Sequence, residues 1–199
     1  MAINPADFEH ISKIVREQSA IVLEKGKEYL VESRLMPLVH QEKLGSLENL
    51  VAKLKTQPRG ELRDTVIEAM TTNETSFFRD IHPFETLKKE IFPDLIEKRK
   101  DKKTLNIWCG ASSSGQEPYS LAMILKNQFP TLATWKISFA ASDISNQMLN
   151  RCRSGIYSQL EINRGLPAPL MVKYFERLGT EWQGKEDLRK MIQFRITNL

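Results

Sequence analysis

The 199-residue chain is 41% hydrophobic and 27% charged, enough apolar content for a sizeable core and too much for wholesale disorder. Its net charge of +4 raises nucleic acid as a partner. The excess sits in residues 148–199, with 9 Lys/Arg against 5 Asp/Glu, too sparse for a phosphate-tracking stripe, so no nucleic-acid partner is expected.

No apolar run approaches the roughly 20 residues of a membrane span, so no direct membrane insertion is expected. The first residues lack the basic start and apolar stretch of a secretory signal, and the two cysteines, Cys109 and Cys152, lack metal-ligand spacing. A cytoplasmic protein with reduced thiols and no metal site is expected.

Residues 1–70 read as a helical N-terminal domain. Asn4 is an N-cap candidate with Pro5 at the first helical position, and Phe8, Ile11, Ile14 and Val15 follow at helical spacing. Tyr29, Leu30, Leu35, Leu38 and Val39 suggest a second helix that Pro37 interrupts or bounds. Gly45 and Ser46 separate it from a third, carrying Leu47, Leu50, Val51 and Leu54. Pro58 and Gly60 break the chain before a fourth stripe of Leu62, Val66, Ile67 and Met70. Residues 71–103 read as a linker holding a helix over 82–99, broken at Pro93, and then a solvated basic run from Lys98 to Lys103.

From residue 104 the period changes. Leu105, Ile107 and Trp108 form a short apolar strand, followed by a Gly/Ser loop from Gly110 to Gly115 and a helix carrying Leu121, Ala122, Ile124 and Leu125. A second strand, Ile137 to Ser142, ends at Asp143, and a helix starts near Ser145. Strand, glycine loop, helix, strand, acid is the opening of a doubly wound nucleotide-binding sheet. A last strand candidate spans Ile192 to Thr197. The fold class expected is α/β: a helical bundle, then a Rossmann-like domain over 104–199. With three sheet strands where five or more are usual, the chain is expected to be C-terminally truncated.

The loop chemistry narrows the ligand. A P-loop needs Lys and then Ser/Thr after its second glycine, and Gln116 and Glu117 stand there instead. The dinucleotide pattern of three glycines is absent as well. A carboxylate beside the loop opposes a phosphate ligand but favours S-adenosylmethionine, which has no phosphate and carries an ammonium and a sulfonium. Asp143 is placed to accept from two ribose hydroxyls, or else to cap the following helix.

The segment Thr71–Asp80, Thr-Thr-Asn-Glu-Thr-Ser-Phe-Phe-Arg-Asp, closely resembles the signature of CheR-type chemotaxis receptor (protein-glutamate) O-methyltransferases. The loop from Gly110 to Ala122, the strand end Ala141–Ile144, the segment Arg153–Tyr157 and the terminal Asn198-Leu199 resemble that family too. The resemblance implies that Asn73, Thr75, Arg79, Glu117, Asp143, Asn198 and Leu199 line the cofactor pocket, with Arg79 also the catalytic candidate. It implies methyl transfer from S-adenosylmethionine to glutamate carboxylates on the cytoplasmic helical region of methyl-accepting chemoreceptors, leaving S-adenosylhomocysteine. It also places a small β-subdomain at about 170–197, whose shortness over Tyr174–Gly184 implies that a receptor pentapeptide tether is not used. Two alternatives stay open: a non-catalytic S-adenosylmethionine-binding regulatory or scaffold module, and a nucleic-acid methyltransferase, whose Asn/Asp-Pro-Pro-Tyr/Phe loop is absent from these residues.

Overall fold

The computed structural model describes residues 3–57 and 59–199, and these divide into two compact units, Met1–Thr72 and Asn73–Leu199. The chain break expected at Pro58 lies outside the described residues.

The first unit is all helical: α1 (Pro5–Ser19), α2 (Glu28–Gln41), α3 (Leu47–Thr56) and α4 (Glu61–Met70). Side-chain oxygens of Asn4 and Ser46 cap α1 and α3 by accepting from the amides of Asp7 and Asn49. The apolar stripes meet in a core where Ile11, Val15, Val31, Leu35, Val39, Leu50 and Val66 are sealed from solvent. Pro37 does not interrupt α2, which runs through it. The lost backbone bond is offset by Leu35, Leu38 and Val39, buried on either side of the proline. Tyr29, placed in the apolar pattern, is exposed instead. Arg34 closes the far end of the unit, donating to the carbonyls of Met70 and Thr71.

The second unit opens with residues 73–80 of the signature segment and a long helical run, α5 (Ile81–Thr86), a π turn (Leu87–Ile91) and α6 (Phe92–Arg99). The break expected at Pro93 is not there. Proline lacks the N–H that would reach back four residues, and its ring would strike that carbonyl. The wider turn just before it, closed by the Phe92 N–H on the Leu87 carbonyl, lets the helix continue.

A parallel sheet follows, built from β1 (Thr104–Cys109), β2 (Lys136–Asp143) and β6 (Gln193–Ile196) in the order β1-β2-β6. Helices α7 (Gln116–Gln128) and α8 (Asn146–Ser154) lie between β1 and β2 and after β2. Leu105 and Cys109 alternate into the core, whereas Trp108, part of the same apolar strand pattern, lies 64% exposed. Period-two alternation sends it to the opposite face, where its indole N–H donates to the Ser142 hydroxyl at 3.0 Å.

A second, antiparallel sheet has the order β3-β5-β4, from β3 (Ile156–Ser158), β4 (Phe175–Leu178) and β5 (Glu181–Gly184). It takes its third strand from ahead of the 170–197 span expected for it, and residues 193–196 pair in the parallel sheet instead. The remaining helices are short: α9 (Gln159–Asn163), α10 (Ala168–Tyr174) and α11 (Glu186–Arg189).

Candidate cofactor site

The loop between β1 and α7 has left-handed backbone at every second position: Ala111 (φ 52°), Ser113 (φ 47°) and Gly115 (φ 98°). Two of these are not glycine, and each costs about 1–2 kcal/mol, so surrounding bonds must hold them. The structure supplies those bonds. The Ser112 N–H donates to the Ser142 carbonyl, and the Gly115 N–H to the Ser112 carbonyl. The thiol of Cys152 donates to the Ser113 carbonyl at 3.0 Å, and the Tyr157 hydroxyl to the Ser114 carbonyl at 2.7 Å. A Cβ on Gly115 would sit 3.0 Å from both the Cys152 sulfur and the Tyr157 oxygen.

Asp143, at the end of β2, is only 6% exposed. One carboxylate oxygen accepts the Ser113 N–H at 2.7 Å and the other the Ser145 N–H at 2.9 Å. It therefore ties the loop to the strand end and to the start of α8, whose N-cap is Ser145. An internal carboxylate already holds a loop amide that a phosphate would compete for, which reinforces the exclusion of nucleotide triphosphates. Each carboxylate oxygen retains a further lone-pair site.

Glu117 lies exposed in the first turn of α7, where the helix dipole favours an anion. Its Oε1 accepts from the buried Cys109 thiol at 2.8 Å. Burial, reinforced by that carboxylate, holds the Cys109 thiol well above its ordinary value, so it stays protonated and donates. Burial likewise pushes Cys152 up to about 12.

The signature segment is anchored to the same loop. The Ser113 hydroxyl donates to the Asn73 carbonyl at 2.8 Å, and the Phe78 N–H to the Ser120 hydroxyl at 3.1 Å. Phe78 is itself left-handed at φ 47°. Phe77 is fully buried, its ring edge-on to Tyr157 at 5.1 Å and to Phe175 at 5.7 Å. On the other flank, the Thr197 N–H donates to the Asp143 carbonyl. Leu199 reaches over Gly110, where an added Cβ would meet it at 3.1 Å.

Of the residues singled out from sequence, Asn73, Glu117, Asp143 and Leu199 thus gather around residues 109–117. Thr75 is half-buried in the signature segment, and Asn198 is exposed just beyond β6. Arg79 is exposed, and its guanidinium donates to the Glu74 carbonyl at 3.1 Å. Sequence reasoning assigned no role to Cys109, Ser113, Cys152 or Tyr157. Tyr157 lay inside a recognised segment, so its signal was present. The two thiols carried none beyond their identity.

The residues fit a phosphate-free, cationic ligand. The exposed charge in the first turn of α7 is a carboxylate, which suits a cation.

Comparison with known proteins points the same way. Residues 73–199 match the family described as "CheR methyltransferase, SAM binding domain", and residues 6–71 match "CheR methyltransferase, all-alpha domain". The chain is 42% identical over 203 residues to Chemotaxis protein methyltransferase 1 of Pseudomonas aeruginosa, covering all of this chain and 73% of that protein. It is 39% identical to Chemotaxis protein methyltransferase Cher2 of Pseudomonas putida, covering all of this chain and 74% of the relative. A more distant relative, Chemotaxis protein methyltransferase of Borreliella burgdorferi, is 33% identical over 99% of this chain and 71% of its own length. Among the described residues no helix is long and apolar enough to cross a membrane. With both of its units matched in order, the chain belongs to the CheR family of S-adenosylmethionine-dependent methyltransferases that act in chemotaxis.

Proposed function

We propose that this protein methylates glutamate side chains on the cytoplasmic helical region of chemoreceptors, forming glutamate methyl esters. The observation that carries the reading is the strained loop at residues 110–115, buttressed by Asp143 and flanked by the exposed carboxylate of Glu117. When bound, S-adenosylmethionine supplies a methyl group activated by its sulfonium and leaves as S-adenosylhomocysteine.

The chain's own residues then have defined tasks. Glu117 holds the ligand's ammonium. Asp143 accepts from the ribose hydroxyls through its remaining lone pairs, and Asn73, Thr75, Asn198 and Leu199 enclose the rest of the ligand. The substrate glutamate is already ionised at neutral pH, so no strong general base is required. Positioning is then the main work, worth about 7–11 kcal/mol of the barrier when reacting atoms are held in line. Arg79 is the group for this: on releasing the Glu74 carbonyl it orients the incoming carboxylate. A reading as a non-catalytic scaffold has no observation in its favour.

Calorimetric titration with S-adenosylhomocysteine tests the site, with NAD as the control ligand. Binding that is absent for NAD and lost in Asp143→Ala is the expected result. Equal binding of NAD, or binding untouched by Asp143→Ala, would remove the basis for the reading.

A further inference from the structure

We infer that Cys109 is a positioning residue whose thiol fixes the rotamer of Glu117 so that the carboxylate meets the ammonium of the bound cofactor. This rests on the assignment of Glu117 made above. Cys109 ends β1, its side chain 3% exposed, and its sulfur lies 2.8 Å from the Glu117 Oε1. Glu117 is exposed and belongs to the first turn of α7, whose backbone leaves it free to sample several rotamers. A donor rising from the strand beneath removes that freedom and leaves the other lone pairs of the carboxylate available.

The chemistry of the pair makes the direction of the bond unambiguous. The thiol is held protonated, since its ionisation would place a second anion beside Glu117 in a buried setting. It is therefore a donor throughout the pH range in which Glu117 is an acceptor. A bond to a charged acceptor is among the stronger ones, even with the weak S–H donor. The cysteine is consequently not poised as a nucleophile or a redox centre, because buried protonated thiols are inert. Its contribution lies in preorganisation: the ligand's ammonium meets a carboxylate already in place.

The test separates this role from simple packing by using two ligands. S-adenosylhomocysteine carries the ammonium, and 5′-methylthioadenosine lacks the whole amino-acid tail while keeping the ribose and adenine. Their affinities would be measured by calorimetry for the unaltered chain, Cys109→Ala, Cys109→Ser and Glu117→Gln. Cys109→Ala is expected to weaken S-adenosylhomocysteine about tenfold and to leave 5′-methylthioadenosine within twofold. Cys109→Ser, which restores a donor, should recover most of the loss. Equal weakening of both ligands by Cys109→Ala would show a packing role and overturn the inference. So would an unchanged affinity for S-adenosylhomocysteine in Cys109→Ala alongside a loss in Glu117→Gln, which leaves the cofactor reading standing. If Glu117→Gln itself changes nothing, the assignment of Glu117 fails and the inference falls with it.

Discussion

A Cβ placed on Gly165 would lie 2.0 Å from the backbone carbonyl oxygen of Phe77. The turn after α9 is thus packed directly on the signature segment, and at φ +96° it also needs backbone freedom that other residues lack. Gly165→Ala should therefore destabilise the second unit by at least about 2–3 kcal/mol, combining left-handed strain with a steric clash. Gly179→Ala is the matched control, since its φ is +61° but nothing lies within 4 Å of the added carbon. It should cost about 1 kcal/mol. Denaturant melts of the two variants check the difference.

Tyr157 joins three parts of the second unit. Its ring meets Phe77 and Phe175, and its hydroxyl bonds the Ser114 carbonyl from a fully buried position. Tyr157→Phe preserves the ring and orphans the carbonyl, so it should cost about 1–3 kcal/mol. It should also weaken S-adenosylhomocysteine measurably, because the loop loses one of its restraints. Unchanged affinity in a destabilised variant would show that the loop keeps its shape without this bond.

Arg79→Ala should lower turnover far more than cofactor affinity if its task is to orient the substrate carboxylate. Single-turnover rates beside calorimetric affinities separate the two. Loss of cofactor binding with the fold intact would reassign Arg79 to cofactor anchoring.

The first unit carries a pH dependence of its own. Burial, followed by the nearby Lys55 charge, holds the His10 imidazole below its ordinary value, with Asp7 opposing the shift and Arg63 and Lys13 adding to it. Its Nε2 is buried with no hydrogen-bond partner among the described residues. With the folded value below the unfolded value of about 6.5, the unfolded chain binds more protons between the two. Stability from this group is fully present above about pH 6.5 and is lost as pH falls towards the folded value. Denaturant midpoints from pH 7 to pH 5 should fall, and His10→Gln should flatten that slope. This window lies above the range in which Asp7 titrates.

Much of this was legible in the chain because local chemistry agreed with the fold. Asn4, Ser46 and Ser145 announced helix starts and serve as caps with side-chain bonds. The change of period after residue 104 located the parallel sheet, and the absence of a lysine after the loop's second glycine excluded phosphate. The misreadings have a common cause: tertiary packing overrides a local signal. Pro37 and Pro93 read as breaks, yet a buried stripe carried one helix onward and a π turn the other. Trp108 belongs to the apolar strand pattern yet lies exposed, because a three-residue apolar cluster does not reveal which face a strand will cover. The Cys109 bond to Glu117 was invisible because it joins a strand end to a helix start across a loop whose backbone alternation no residue type advertises. The two bonds of Asp143 were half legible. Its place at a strand end pointed to a ligand, whereas its grip on Ser113 appears only once the loop is folded.

The π turn at Leu87–Ile91 also sets the phase of two aromatic anchors. Phe84 meets Phe78 at 5.2 Å, and Phe92 meets Phe129 at 5.5 Å. In an unbroken α-helix, residues eight apart point about 80° away from each other. One residue absorbed in the wider turn brings the two rings back to within about 20° of a common stripe. The turn behaves as an insertion that the helix has swallowed. A chain shortened by one residue within it, with Pro93 exchanged for alanine, should wind as a plain helix and leave both phenylalanines seated.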